Sequence, residues 1–171
     1  MKRKKKSVVQ SINPAEFIAG QLEAFKPLLD DAEFDDLLSE IEKPLPIAIR
    51  LNPIKTHPDF SKDLVKRYGW ELSVIPYCPE GFRVLHAAET AVSSTIEHRT
   101  GAYYIQEAAS MLPVALFGFT DSVHDLTLDL AASPGGKTTH LVARQRDQGL
   151  VIANDSSQSR IQALKVVLQH W

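Results

Sequence analysis

Two short segments of this 171-residue chain carry residue types from which a nucleotide site is built. Leu128-Asp129-Leu130-Ala131-Ala132-Ser133-Pro134-Gly135-Gly136-Lys137-Thr138-Thr139 reads as an apolar strand, a glycine-rich turn and the start of a helix. Gly149-Leu150-Val151-Ile152-Ala153-Asn154-Asp155 reads as a second strand that ends in a carboxylate. An acid about 20 residues beyond a glycine-rich strand-to-helix turn is a nucleotide-binding arrangement. Glycine lets the backbone approach a ligand that a Cβ would block. The helix N-terminus adds free N–H groups and a partial positive charge, and Asp155 is an acceptor for ribose hydroxyls. The details of the turn leave the nucleotide open. A phosphate-binding P-loop needs Gly-x-x-x-x-Gly-Lys-Ser/Thr; Gly136-Lys137-Thr138 fits its second half, but Ala131 stands where the first glycine belongs. The dinucleotide pattern Gly-x-Gly-x-x-Gly is not met either. The plain alternative is a glycine turn in an α/β protein that binds nothing.

The segment Ala131–Thr139 resembles the S-adenosylmethionine motif of the RNA cytosine-C5 methyltransferases, the NOL/NOP/Sun group, in which the run is Asp-x-Cys/Ala-Ala-Ala-Pro-Gly-Gly-Lys-Thr. Ala153-Asn154-Asp155 with Ser159-Arg160 and Leu164 is similar to that family's next block. Tyr103-Tyr104-Ile105-Gln106-Glu107-Ala108-Ala109-Ser110-Met111-Leu112-Pro113 resembles a third, and Ile49-Arg50-Leu51-Asn52-Pro53-Ile54-Lys55 a fourth. Ile75-Pro76-Tyr77-Cys78-Pro79-Glu80-Gly81-Phe82 points to the RsmF-like subfamily that modifies bacterial small-subunit ribosomal RNA. The blocks stand in the family's order and spacing, and the resemblance covers residues 15–171.

The resemblance implies a Rossmann-like class I methyltransferase domain, of which this chain holds the first β-α-β-α, preceded by a small α+β subdomain of RNA-binding type. It implies S-adenosyl-L-methionine as cofactor, held by Ala131, Ala132, Ser133, Pro134, Gly135, Gly136, Lys137 and Asp155. Asp155 would take the ribose hydroxyls, the two glycines would pass the ribose and methionine portion, and Lys137 would contact the methionine carboxylate or cap the loop. Asp129 is an organiser of the turn, and Gln106 is placed near the cofactor pocket. Arg50, Asn52 and Lys55, polar groups at a strand end, are the implied RNA contacts; a solvated loop with local hydrogen bonds is the plain reading of each. The implied activity is methylation of C5 of a cytosine in 16S ribosomal RNA, with ribosomal RNA or the small subunit as partner in the cytoplasm. Ser133 departs from the family's alanine and suits capping of the following helix. The family's two catalytic cysteines lie in blocks well downstream of the Ala-Asn-Asp/Glu block. No catalytic residue is therefore expected in this chain, which reads as the N-terminal part of such an enzyme, inactive alone. Cys78 matches a non-catalytic position. The alternatives from other classes are a non-catalytic RNA- or cofactor-binding remnant and, more weakly, a P-loop-type nucleotide hydrolase.

Composition is compatible with this. The apolar fraction of 44% is ordinary for a globular protein, and no apolar run reaches the ~18 residues of a membrane span. One cysteine excludes an internal disulfide framework. The six histidines are scattered, so no metal site is expected. Net charge is −2, yet five of the 19 basic residues fall in positions 2–6. The remaining 14 face 21 acidic residues, so the body is not a nucleic-acid binder by charge alone. The basic arm is either a solvated tail or a source of phosphate contacts.

The elements that must position these groups follow from periodicity and punctuation. Residues 1–12 are predicted to be a disordered basic tail, 13–98 the α+β subdomain and 99–171 the start of the methyltransferase domain. Asn13-Pro14 predicts a helix start with Phe17, Leu22, Phe25, Leu28 and Leu29 at helical spacing. A second helix is predicted over Ala32–Glu42, stopped by Pro44 and Pro46. Ile47–Asn52 reads as a strand, 59–68 as a helix closed by Gly69, and Leu72–Ile75 and Phe82–Leu85 as strands. Residues 88–102 read as a connector with a helical turn after Ser93-Ser94-Thr95. The spacing of Ile105, Ala108, Ala109, Leu112, Ala115 and Leu116 predicts a helix from Tyr104 to Phe117, kinked at Pro113. Thr127–Ala131, Thr138–Arg146, Leu150–Asn154 and Gln158–Gln169 complete the β-α-β-α unit, whose two parallel strands would expose apolar edges.

Overall fold

The computed structural model describes residues 20–41, 43–118, 126–146 and 148–171. The basic run, the expected helix start at Asn13-Pro14, Phe17 and Glu42 lie outside the described residues. Two compact units divide between Leu45 and Pro46. In the first, helical residues 20–22 run into a 3-10 helix, Glu23–Leu28, that contains Pro27. Proline has no N–H to donate to an α-helical bond, and the segment takes the tighter form. Helix α1 spans Asp31–Ile41. It starts one residue earlier than the sequence predicts because of a capping box: Glu33 N–H donates to Asp30 Oδ1 at 2.9 Å and Asp30 N–H to Glu33 Oε2 at 3.0 Å.

The second unit opens with strand β1, Ala48–Leu51, whose four residues are all buried. It lies between β3 (Cys78–His86) and β4 (Tyr103–Ile105) and pairs antiparallel with both, and β2 (Glu71–Ile75) adds to the far side of β3. Side chains alternate along a strand, and β1 uses both faces. Ile49 and Leu51 join Leu64, Trp70, Val84, Val92 and Tyr103 in one core. Ala48 joins Ile75, Cys78 and Met111 in a second. Helix α2, Phe60–Tyr68, lays Leu64 on the first core and ends at Gly69, whose φ of 65° is the left-handed conformation that glycine adopts freely. Trp70 stacks on Tyr68 with ring centroids 5.1 Å apart and meets Tyr103 edge-on at 6.1 Å. Thr95 caps the short helix α3, Ile96–Arg99, by accepting from His98 N–H.

The helix expected over Tyr104–Phe117 is not formed. Tyr103–Ile105 is instead strand β4, in register with Leu51, Arg50 and Ile49 of β1. Helical structure is confined to a 3-10 turn, Ala109–Met111, and α4, Leu112–Ala115. Tyr-Tyr-Ile is β-prone, and pairing satisfies an edge of β1 that would otherwise stay open. Pro113 falls in the first turn of α4, where a missing N–H is harmless, so it begins a helix rather than kinking one.

Residues after 125 form the β-α-β-α unit that the sequence predicts. Strands β5 (Leu126–Asp129) and β6 (Leu150–Ala153) pair in parallel, and helices α5 (Gly136–Arg144) and α6 (Gln158–His170) follow them. Leu126 pairs with Leu150 and Leu128 with Ile152, and all four are 45–68% exposed. Among the described residues, no helix is long and apolar enough to cross a membrane.

Candidate functional site

The turn between β5 and α5 is held from both sides. Asp129, at the end of β5, accepts from Ala131 N–H at 3.3 Å and from the Thr138 hydroxyl at 2.7 Å. One carboxylate thus bridges the strand end to the first turn of α5, the organising role expected of it. Ala132 N–H donates to the Asn154 carbonyl at 2.9 Å, which ties the turn to the end of β6. Gly135 has φ 122°, and a Cβ there would stand 2.8 Å from Val167 Cγ1. At Gly136 it would stand 3.2 Å from Tyr104 Cε1 and 3.5 Å from the Gln106 amide. The neighbours that demand glycine here are the protein's own side chains, on α6 and around β4. No side chain caps α5. Ser133, expected to do so, turns away: its hydroxyl donates to the Arg160 carbonyl at 2.6 Å, and its carbonyl accepts from Arg160 Nη2 at 2.8 Å. Ala131, Pro134 and Lys137 are exposed; Ala132, Ser133 and Gly135 are buried.

Asp155 lies just past β6, buried, with its carboxylate turned to this turn. It accepts from Ser157 N–H at 3.0 Å and from Ser133 N–H at 3.2 Å, and Arg160 Nη2 is 3.3 Å away. These donors, Ser157 first, hold its carboxyl below the usual carboxylate range against the opposing effect of burial. It is ionised at neutral pH and acts only as an acceptor.

The three residues expected to contact RNA divide. Arg50 is fully buried. Its Nε donates to Gln106 Oε1 at 3.0 Å, and its Nη2 to the Gly136 carbonyl at 3.1 Å and Thr139 Oγ1 at 2.7 Å. The guanidinium lies 4.5 Å from the centroid of the Trp171 ring. Asn52 is also fully buried; its amide donates to the Gly101 and Trp171 carbonyls at 3.1 and 2.9 Å. Neither presents a group to solvent in this structure. Lys55 is exposed, with its ammonium donating to the Thr100 and His170 carbonyls at 2.9 and 2.6 Å. Gln106 is beside Gly136.

Sequence reasoning did not foresee the cluster of Cys78, Glu80 and His140. Cys78 Sγ is 3.8 Å from His140 Nε2 and 3.9 Å from Glu80 Oε2. Their possible ligand atoms lie within 4.8 Å of one another, the metal-like group found among the described residues. The separation of 62 positions between the cysteine and the histidine hid it. Burial pushes the thiol up to about 11, with Glu80 adding to the shift. Burial, then the charges of Arg50 and Arg144, hold His140 down to about 3. Two guanidinium charges beside the cluster disfavour a further cation. The imidazole is therefore neutral at every pH at which its unfolded counterpart, near 6.5, begins to take a proton. The unfolded chain then binds more protons, so stability falls as pH drops from about 6.5 towards 3, by at most ~1.4 kcal/mol per pH unit. Urea melts at about pH 7.5 and pH 5 are expected to show a smaller loss in His140→Gln than in the unaltered protein. Equal losses would remove His140 as the source.

Residues 14–108 match the N-terminal domain of 16S rRNA methyltransferase RsmF, and residues 119–170 match 16S rRNA methyltransferase RsmB/F. The chain belongs to the RsmF family. Among its curated relatives, Ribosomal RNA small subunit methyltransferase F of Pectobacterium carotovorum subsp. carotovorum (strain PC1) is 40% identical over 154 residues, which cover 88% of this chain and 31% of that protein. The chain thus spans about a third of the length of the curated relatives it matches. Among solved structures, a methyltransferase homologue from Pyrococcus horikoshii is 29% identical, with a TM-score of 0.76 over 93% of this chain and 53% of its own. NSun6 from the same organism, solved with SFG, is 18% identical and has a TM-score of 0.74, covering 86% of this chain and 61% of its own; that likeness bears on the fold. The family and these folds agree with the Rossmann-like reading of the β-α-β-α unit and with the family resemblance carried by the four sequence blocks.

Proposed function

We propose that the protein carrying this chain transfers the methyl group of S-adenosyl-L-methionine to C5 of a cytosine in 16S ribosomal RNA, in the cytoplasm. The observation that carries this reading is the uncapped start of α5 facing an ionised Asp155 across one turn. Ala131, Ala132, Ser133, Pro134, Gly135, Gly136, Lys137 and Asp155 form the proposed cofactor site. The donor set fits: free first-turn N–H groups suit a carboxylate, and an acceptor-only carboxylate suits ribose hydroxyls. When bound, the cofactor supplies an electrophilic methyl on a sulfonium. The residues of this chain hold and orient it, Asp129 by fixing the turn.

Cytosine C5 is a weak nucleophile, and the family resemblance implies activation by a thiolate adding to C6. Cys78 is the one cysteine of this chain and is buried with its thiol held neutral. We assign no catalytic residue to residues 1–171. Residues 13–98 are proposed to serve RNA and residues 99–171 the cofactor, with β4 adding its strand to the first sheet. Lys55 is the exposed candidate for a phosphate contact.

Asp155 tests the site. In a protein of its relatives' length, Asp155→Ala is expected to weaken S-adenosylmethionine binding roughly tenfold to a hundredfold, the scale of a lost hydrogen bond to a charged group. Asp155→Asn, which keeps the shape and loses the charge, should fall between. Calorimetry showing unaltered affinity in both would remove Asp155 from the site.

A further inference from the structure

We propose that Arg50 is a positioning residue for the cofactor turn: it locks the first turn of α5 to strand β1 and so sets cofactor affinity. This rests on the proposed cofactor site. A buried guanidinium is costly to desolvate unless a partner compensates it. Burial lowers its pKa only to about 10, so it stays charged. Among the described residues no carboxylate lies within ion-pair distance of it. Its acceptors are three neutral oxygens, and two of them, the Gly136 carbonyl and Thr139 Oγ1, belong to the first turn of α5. The third, Gln106 Oε1, belongs to a side chain that also donates to the Ser110 carbonyl at 3.1 Å and flanks Gly136. The Trp171 ring covers the cation.

That arrangement does two things that an apolar side chain of the same volume would not. One nitrogen, Nη2, donates to both the Gly136 carbonyl and Thr139 Oγ1 while Nε of the same rigid plane holds Gln106, which fixes the rotation of the first turn of α5 against β1. It also leaves a charge beside the end of α5 that attracts anions. Arg50 is on β1, five positions before Lys55 in the turn that follows the strand. One strand therefore connects the proposed RNA face to the proposed cofactor turn.

The experiment compares Arg50→Gln, Arg50→Lys and Lys55→Gln in a protein of its relatives' length. Cofactor affinity is read by calorimetry, RNA affinity as a function of salt, and amide exchange at residues 136–140 without cofactor. Arg50→Gln is expected to weaken the cofactor at least tenfold, to speed exchange at 136–140, and to leave the salt slope for RNA unaltered. Arg50→Lys, which keeps the charge and loses the fork, should recover part of the affinity. Lys55→Gln should behave in the opposite way, reducing the salt slope by about 0.7–0.9 for one lost phosphate contact with cofactor affinity maintained. A shallower salt slope in Arg50→Gln with undiminished cofactor affinity would overturn the proposal. If the unaltered protein binds no cofactor, the functional reading fails, and exchange at 136–140 then decides the positioning role by itself: faster sustains it, unchanged overturns it. Should Arg50→Gln not fold, Thr139→Val removes one acceptor and is expected to move exchange and affinity in the same direction by a smaller factor; no change in either would overturn it.

Discussion

Residues 1–171 alone are expected to transfer no methyl group to small-subunit RNA, and Cys78→Ser is expected to leave that result unaltered. The proposed chemistry would need a thiolate beside the target base, and this chain has one cysteine. Cys78 is 1% exposed, packed with Ala48, Ile75 and Met111, and its thiol is pushed up to about 11. At neutral pH the thiolate fraction at that value is below one in a thousand, and the sulfur offers no face to an RNA base. Stability points the same way. Leu126, Leu128, Leu150 and Ile152 form pairs on one face of the parallel β5–β6 ladder and are about half exposed or more. Parallel sheets are ordinarily covered on both faces, so residues 1–171 alone are expected to melt broadly and to bind apolar dyes. A radiolabelled transfer assay and a thermal melt with and without S-adenosylmethionine check the two claims. Turnover that disappears in Cys78→Ser would make Cys78 the nucleophile. A sharp melt at ordinary mesophile temperatures would show that residues 1–171 are a complete folding unit.

The parts of the fold legible in the sequence are those whose signals are local. The turn at Ser133-Pro134-Gly135-Gly136, the left-handed stop at Gly69 and the acid after β6 are written in residue types that only a few backbone conformations accept. Strand β4 was not legible. Its three residues are too few to show a period of two, while Ile105, Ala108, Ala109 and Leu112 happen to fall at helical spacing. The open edge of β1 decided the outcome, and that edge is a tertiary fact. The burial of Arg50 was hidden for a related reason: a charged residue at a strand end reads as a surface group. Yet Arg50 sits between Ile49 and Leu51 in a strand buried on both faces, and the oxygens that receive it lie 56 to 89 residues away. The proximity of Cys78 and His140 was hidden by the same kind of sequence distance.

Gly135→Ala is expected to cost the protein several kcal/mol of stability and to abolish measurable cofactor binding. Two penalties act together. At φ 122° with ψ −2° a side chain is in a region that L residues rarely enter, a strain of about 1–3 kcal/mol. The new methyl would also stand 2.8 Å from Val167 Cγ1 and 3.3 Å from Leu164 Cδ1. Both belong to α6, and Leu164 is buried, so overpacking adds about 1–3 kcal/mol. The turn can relieve the clash only by moving away from α6. That movement would separate Ser133 from its three bonds to Asp155 and Arg160. The two penalties separate experimentally. Val167→Ala makes room for the methyl without changing φ, so the double variant Gly135→Ala with Val167→Ala should recover the steric part and retain the torsional part. Gly136→Ala is the internal comparison: its φ is not in the left-handed region, and the nearest atom is a tyrosine ring carbon at 3.2 Å, so its stability loss should be clearly smaller. Urea unfolding of the four proteins measures the first effect and calorimetry the second. A Gly135→Ala protein within about 0.5 kcal/mol of the unaltered one, the range of an ordinary surface change, would mean that the turn relaxes freely and that its geometry is not what positions the site.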